Sequence, residues 1–188
     1  MAALTDEDRK ALLKLARSAI SSELIKGTEV VKPEVVSAAM EEKRGCFVTL
    51  HKEGMLRGCI GTIEPVHSLV HNVEQNALNS AFRDPRFPLL EADELAVVDI
   101  EVSVVTVPEI LPYGDAEDLK LKLKPGIHGV ILSKDWRSAT FLPQVWEQLP
   151  QPEPFLSHLC MKAGLPADQW RKGGLTVLVY RVQYFEEE

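Results

Sequence analysis

The sequence has no apolar run of about eighteen residues, and its first ten residues, MAALTDEDRK, are acidic and polar. The first absence excludes a membrane-spanning helix of ordinary length. The second feature differs from a secretory signal, which begins with basic residues and continues with apolar ones. We therefore expect a soluble, cytoplasmic protein.

Cysteine is scarce, and metal-binding and cofactor motifs are missing. The three cysteines, Cys46, Cys59 and Cys160, form no CxxC pair, which argues against a disulfide framework and a structural zinc site. The histidines form no HExxH or HxH unit, and no Walker loop, GxGxxG or GxSxG motif occurs. The sequence thus indicates reduced thiols, no metal and no cofactor.

Positive charge is also in the minority. The chain carries 21 basic and 28 acidic residues, a net charge of −7, and the basic residues are spread along the sequence. Such a charge distribution tends to repel a phosphate backbone. Nucleic acid is therefore an unlikely partner.

Two amphipathic helices are indicated by the apolar spacing. The first runs from Thr5 to about Lys26, with Thr5 and Asp8 at capping-box spacing. The second runs from Ser68 to Phe82 and ends before the Asp84-Pro85 step, because the residue before proline disfavours the helical conformation.

Several strands are predicted between and after these helices. CFVTLHKEGMLRGCIGTI and GVILSKDWRSATF have the pattern of hairpins, LAVVDIEVSVV alternates apolar and polar residues, and LTVLVYRVQYF is predicted as one last strand. The chain lacks the regular βαβ alternation of a doubly wound fold. We predict an α+β fold with two lobes and a largely antiparallel or mixed sheet flanked by helices.

The stretch LRGCIGT places two glycines and a thiol in one predicted strand. Strict alternation puts Arg57 and Cys59 on one face and Leu56 on the core face. Gly58 and Gly61 then clear space around Cys59 for a ligand, and Arg57 favours the thiolate. The alternative is that Cys59 is a small buried apolar residue and that the glycines accommodate a packed helix.

Two further groups of charged residues also have two interpretations. Pro85 and Pro88 stiffen FRDPRF, so Arg83, Asp84 and Arg86 form either an anion clamp or a capped turn with surface ion pairs. Glu101 lies on the polar face of DIEVS, which is either a binding site or a solvated sheet face.

Seven motifs occur in order along the chain: GCFVTL, GMLRGCIGT, DPRFPLL, IEVSVV, GIHGVIL, FLPQVWE and KAGL. Together they resemble the AMMECR domain, also called protein A of the AmmeMemoRadiSam system. This resemblance implies one domain over residues 1–188 with two interleaved subdomains, and the LRGCIG hexapeptide near a cleft between two lobes. It also implies a Memo-type protein and a radical-SAM protein as partners.

The resemblance favours Cys59 as a functional residue, and it leaves three hypotheses for the function. The first is an enzyme component acting on a small or peptide-like substrate, with Cys59 as nucleophile or redox thiol and Arg57 activating it. In this hypothesis Arg83 and Arg86 hold an anionic group. The second is a non-catalytic binding module for a Memo-type or radical-SAM partner. The third is an accessory factor in RNA modification.

The sequence also predicts that the two motif blocks form one site. A helix of about fifteen residues, roughly 22 Å long, separates the LRGCIGT strand from RDPRF, which leads into the next strand. If both strands share a sheet, at least one of Arg83, Asp84 and Arg86 faces Cys59, with Glu101 as an acidic neighbour across the sheet. No general base is identified.

Overall fold

The computed structural model describes residues 3–187. In this range the chain forms seven α-helices, one 3-10 helix at Ala92–Ala96 and eight β-strands. The helices are α1 (Asp6–Leu24), α2 (Ala38–Glu41), α3 (Leu69–Phe82), α4 (Ala116–Lys122), α5 (Val145–Gln148), α6 (Pro152–Lys162) and α7 (Gln169–Lys172). The strands are β1 (Cys46–Lys52), β2 (Met55–Thr62), β3 (Val98–Val105), β4 (Glu109–Ile110), β5 (Gly129–Lys134), β6 (Arg137–Phe141), β7 (Thr176–Tyr180) and β8 (Val182–Glu186). None of the helices in this range has the length and apolar character needed to cross a bilayer.

The strands form two four-stranded sheets, with orders β2-β1-β3-β8 and β4-β7-β5-β6. Both are antiparallel in the registers described, so the predicted α+β class is confirmed. The prediction of one strand over LTVLVYRVQYF is wrong, because the run is divided at Arg181 between β7 and β8, which belong to different sheets. The physical reason is that each half packs against a different core, Val177 in the second and Phe185 in the first.

The chain divides into two compact units. The first unit comprises the residues up to Val107 together with those from Gln183 onward, and the second runs from Pro108 to Val182. Strand β8 thus returns to the first sheet after the whole second unit. Glu187 fixes this return, because its N–H donates to the Ile100 carbonyl (3.0 Å) and its carboxylate accepts from the Ile100 N–H (3.0 Å) and from Arg17 Nε (3.0 Å).

Helix α1 begins with the predicted capping box. The Thr5 hydroxyl accepts from the Asp8 N–H (3.1 Å), and the Asp8 carboxylate accepts from the Thr5 N–H (2.9 Å). These bonds satisfy two N–H groups that the first helical turn leaves without intrahelical acceptors. Leu12, Ala16 and Ile20 then form a buried stripe in the core of the first unit.

Helix α3 buries polar side chains as well as apolar ones. Asn72, Asn76 and Ser80 recur at steps of four and are all buried. Asn76 Nδ2 donates to the Cys46 carbonyl (3.1 Å), and the Ser80 hydroxyl donates to the Val48 carbonyl (2.7 Å). The Ser80 hydroxyl also accepts from the Ile60 N–H (2.8 Å), so it bridges β1 and β2. These bonds fix the helix against the strand that carries Cys59.

The β1–β2 hairpin contains an irregularity that the alternation argument misses. Its two-residue loop, Glu53 and Gly54, has positive φ at both positions, as a type I′ turn requires. The register then shifts between Leu50 and His51, so that Arg57 has no partner on β1. The prediction that Leu56 faces the core is therefore wrong: Leu56 is 42% exposed and Arg57 is buried.

The second unit has a core of its own around β5, β7 and α6. The Trp146 and Phe155 rings stack in it with centroids 3.7 Å apart. Cys160 is fully buried in this core, and Cys46 is fully buried in the core of the first unit. These two cysteines therefore act as small apolar residues of the two cores.

We predict that Gly58→Ala lowers the free energy of unfolding by about 2 kcal/mol or more, because overpacking against backbone is not easily relieved. A Cβ at Gly58 would lie 2.3 Å from the Ser80 carbonyl oxygen. Urea titration followed by circular dichroism measures the change. Gly114→Ala is the control, since its Cβ would meet only the Asp118 carboxylate at 3.8 Å. Equal stability of the two variants would contradict the prediction.

Candidate functional site

Three side-by-side residues of the first sheet form the centre of the candidate site. Cys59 of β2 pairs with Thr49 of β1, and Thr49 pairs with Glu101 of β3. Residues paired across antiparallel strands share a face, so the three side chains lie in a row. The Thr49 hydroxyl donates to Cys59 Sγ at 3.3 Å. Glu101 Oε1 accepts from the Ser103 hydroxyl (2.9 Å).

The turn after α3 binds the open edge of β2 at Cys59. The Asp84 carboxylate accepts from the Cys59 N–H (2.8 Å), and Arg86 Nη2 donates to the Cys59 carbonyl (3.0 Å). Two side chains thus take the places that a neighbouring strand would fill. The structure places Asp84 and Arg86 against Cys59, as the single-site hypothesis requires of at least one residue of this turn.

Asp84 and Arg86 also neutralise each other. Arg86 donates to both carboxylate oxygens of Asp84, through Nε (2.9 Å) and Nη2 (2.6 Å). The Asp84 side chain is 1% exposed and the Arg86 side chain 54% exposed. The hydrogen bonds from Arg86 hold the pKa of the Asp84 carboxyl well below its usual range, against the opposing effect of burial. Asp84 is therefore a buried anion, and the guanidinium side chain of its partner Arg86 is exposed at the surface.

Arg57 belongs to a second, separate ion pair. Its guanidinium donates to both carboxylate oxygens of Glu94 (3.0 and 2.8 Å) and to the carbonyls of Pro88 (3.0 Å) and Leu89 (3.2 Å). Lys52 Nζ also donates to Glu94 (2.9 Å). The hydrogen bonds from Arg57 lower the pKa of Glu94 to about 2. The expectation that Arg57 lies beside the thiol rests on alternation, which the unpaired position of Arg57 on β2 breaks.

The environment of Cys59 favours the neutral thiol. Burial raises the pKa of the Cys59 thiol, although the hydrogen bond from Thr49 and the positive charge of Arg86 act in the opposite direction. The charges of Glu101 and Asp84 raise this pKa further. In residues 3–187, the hydrogen bond at Sγ comes from Thr49, and no side chain is placed to take the thiol proton by a direct hydrogen bond.

The two glycines beside Cys59 are approached by the chain's own atoms. Gly58 lies against the Ser80 carbonyl of α3, and a Cβ at Gly61 would lie 2.4 Å from ring atoms of Phe47. Gly58 thus accommodates a packed helix and Gly61 a packed ring. This agrees with the alternative interpretation, in which the glycines serve packing. Arg83 lies apart from Cys59: it is the C-cap of α3, and Nη1 donates to Asn79 Oδ1 (3.1 Å).

Sequence reasoning missed three contributors to this site: Thr49, Ser80 and Glu94. The two-residue loop alone would pair Thr49 with Gly58, and the extra residue at Arg57 moves the pairing to Cys59. Ser80 lies within the helix predicted from Ser68 to Phe82, and its sequence neighbours do not indicate its contact with β2. Glu94 lies in the 3-10 helix, and its sequence surroundings, EADELA, have no pattern that identifies a partner for Arg57.

In the described chain no group of three or more His, Cys, Asp or Glu side chains is arranged to hold a metal ion.

We predict that Cys59 is alkylated by iodoacetamide before Cys46 and Cys160 in the native protein, because Cys46 and Cys160 are buried whereas Cys59 is partly exposed. The rate is expected to rise with pH to a midpoint above that of a free cysteine, since the pKa of Cys59 is raised. Peptide mapping by mass spectrometry identifies the labelled site. Thr49→Val, which removes the hydrogen bond to Sγ, should raise the midpoint further. A rate that is already constant near pH 7 would contradict this account.

We predict that Glu94 accounts for part of the loss of stability in acid. The ionised carboxylate stabilises the folded state above its unfolded pKa of about 4.3, and this contribution of about 3 kcal/mol disappears as the pH falls towards the folded value. That folded value is about 2. Glu94→Gln should be less stable at pH 7 and should lose less stability between pH 5 and pH 2.5, as measured by urea unfolding.

The matched control is Glu34→Gln, at an exposed residue for which the described part of the chain shows no ion pair. It should retain the full acid-dependent loss. If Glu94→Gln and Glu34→Gln behave alike at both pH values, the Arg57–Glu94 pair does not stabilise the fold.

The comparisons with known proteins agree with the motif pattern. The family model AMMECR1 matches residues 13–185. A protein of Methanothermobacter thermautotrophicus is 37% identical over 100% of this chain and 98% of its own length. A protein of Methanopyrus kandleri is 39% identical over 98% of this chain and 91% of its own length.

A solved structure has the same fold. The crystal structure of an uncharacterized protein from Pyrococcus horikoshii is similar with a TM-score of 0.89 at 38% identity, and the match covers 98% of this chain and 94% of that one. The matched family model, these relatives and this fold agree, and we conclude that the chain belongs to the AMMECR1 family.

Proposed function

We propose that this protein is a non-catalytic binding module, and that the surface around β2 of the first unit recognises a partner protein. One observation carries the proposal. In two ion pairs of the site, Arg86–Asp84 and Lys52–Glu94, the carboxylate is the less exposed member: the Arg86 side chain is 54% exposed and that of Asp84 1%, and the Lys52 side chain is 40% exposed and that of Glu94 13%. The site therefore has rigid internal charges and presents hydrogen-bond donors outward.

The chemistry of Cys59 supports binding over catalysis. A nucleophilic cysteine needs a thiolate and a neighbouring group that takes its proton. The pKa of Cys59 is raised by burial, and the cation that acts on it, Arg86, is already paired with Asp84. Arg57, the predicted activator, is committed to Glu94. In the part of the chain that the structure describes, Cys59 therefore has neither a neighbouring base nor an unpaired cation, the two groups that the thiol hypothesis requires.

Exposed apolar side chains adjoin these donors. Met55, Leu56 and Leu89 are large apolar residues of the first unit that remain exposed. Met55 pairs with Lys52 in the hairpin, and the Leu89 carbonyl accepts from Arg57. We call Lys52, Met55, Leu56, Arg86 and Leu89 the β2 surface. Exposed apolar and basic side chains are the two classes of residue that protein interfaces use in their core and rim.

The expected partner has an apolar patch surrounded by acidic or carbonyl acceptors. The exposed ends of Lys52 and Arg86 are donors only, so acceptors complement them. The resemblance to the AmmeMemoRadiSam system indicates a Memo-type protein or a radical-SAM enzyme as that partner. An RNA partner is less compatible with the first unit, because this unit has 12 basic and 20 acidic residues.

The proposal predicts direct binding that does not need the thiol. Isothermal titration calorimetry with a purified Memo-type protein and a purified radical-SAM enzyme should show saturable binding to at least one. Met55→Ser and Leu89→Ser should each raise the dissociation constant about tenfold, because exposed apolar anchors carry much of an interface's binding energy. Cys59→Ser should leave the dissociation constant within about twofold of the unmodified protein.

Leu121→Ser is the control, since Leu121 is an exposed leucine of the second unit. It should not weaken binding. The proposal fails if neither protein binds, or if Leu121→Ser and Leu89→Ser weaken binding equally. Loss of binding in Cys59→Ser with an unchanged circular dichroism spectrum would instead favour the thiol hypothesis.

A further inference from the structure

The second unit contains a cavity that the proposed function does not use. Its volume is about 650 Å³, and it is lined by the chain segments 110–116 and 170–177. This volume is in the range of small-molecule sites. The lining combines apolar side chains, among them Leu111, Leu175 and Val177, with two basic residues, Arg171 and Lys172, and one acidic residue, Asp115.

The cavity begins where two strands separate. Strand β4 pairs with β7 at Ile110 and Leu178, and the Leu111 N–H still donates to the Val177 carbonyl (2.9 Å). The chain then leaves β7, and the next contact is made by a side chain, because the Tyr113 hydroxyl donates to the Leu175 carbonyl (2.8 Å). The space between the separated segments is the cavity.

Two glycines at one end of the cavity leave backbone N–H groups available. Gly173 and Gly174 have φ of 74° and 73°, a left-handed conformation that glycine adopts without strain. Among the described residues, their N–H groups donate to no backbone or side-chain acceptor. A Cβ at Gly173 would meet no atom within 4 Å, so the space beside it is open. Both N–H groups are therefore available to donate hydrogen bonds to a ligand.

Positive charge collects at the same loop. Lys172 lines the cavity next to Gly173, and Lys134 Nζ lies 3.9 Å from the position of a Cβ on Gly174. Lys134 forms no ion pair within residues 3–187, whereas Lys172 is paired with Asp168 (2.8 Å). The second unit has 9 basic and 8 acidic residues, in contrast to the strongly acidic first unit. The net charge of the second unit therefore opposes an anion at this loop less than the net charge of the first unit would.

We propose that this cavity binds a small organic anion, with a carboxylate or phosphate group at Gly173 and Gly174 and an apolar body against Leu111, Leu175 and Val177. Lys134 and Lys172 supply the charge, and the two glycine N–H groups supply directional hydrogen bonds. The site is separate from the β2 surface, so it does not depend on the proposed function.

Nuclear magnetic resonance of the ¹⁵N-labelled full chain tests this proposal with two probes, phenyl phosphate and phenylacetate. The amide signals of Gly173 and Gly174 should shift and saturate with at least one of them, and the better probe identifies whether the group is a phosphate or a carboxylate. The neutral analogue 2-phenylethanol should bind at least about tenfold more weakly, because it cannot use the charged donors.

Lys134→Gln and Lys172→Gln should each raise the dissociation constant of the better probe about two- to fivefold, which is the effect of one exposed charge. Lys124→Gln is the matched control, because it removes the same charge from an exposed residue of the second unit that does not line the cavity. The proposal is overturned if neither probe shifts the two glycine signals at 10 mM, if 2-phenylethanol binds equally well, or if all three variants have the same effect.

Discussion

The hydrogen bonds that Asp84 and Arg86 form with the backbone of Cys59 are the constraint on which the candidate site depends. An edge strand presents unpaired N–H and C=O groups, and proteins usually cover or interrupt such edges. Here a carboxylate accepts the Cys59 N–H, and the paired guanidinium donates to the Cys59 carbonyl. Because Asp84 directly follows α3 and its C-cap Arg83, the same bonds position the helix end, the turn and the strand together.

Burial raises the pKa of the Cys59 thiol, and the pairing of the nearby cations limits how far they oppose this rise. Arg57 is paired with Glu94 and Arg86 with Asp84, and the effect of Arg86 on the pKa of Cys59 is opposed by the charges of Glu101 and Asp84. Two pairs, Arg86–Asp84 and Lys52–Glu94, differ in exposure, with the cation more exposed than the anion. In the proposed function the exposed cations serve recognition, whereas the less exposed anions serve the fold.

Local patterns in the sequence predicted the elements correctly where one interaction decides the outcome. Thr5 and Asp8 begin α1 as predicted, and α3 ends close to the Asp84-Pro85 step. The prediction also brought RDPRF to the LRGCIGT strand, and the structure places Asp84 and Arg86 there. The alternation of side chains along β2 is interrupted at Arg57. The two-residue hairpin loop sets one strand register, and the contact of Gly58 with α3 requires another. Arg57 is the extra residue that joins the two registers. Glu94 could not be predicted, since its pairing with Arg57 depends on tertiary contacts alone.

The return of β8 to the first sheet has a consequence for biosynthesis. All of the second unit lies between β3 and β8 in the chain, so the ribosome synthesises it before the first sheet can acquire its fourth strand. Until then the outer edge of β3 is open, and Arg17 lacks the Glu187 carboxylate. The second unit is continuous and can form its own core as soon as it emerges. The second unit is thus begun after the first unit, and its chain is complete before that of the first unit.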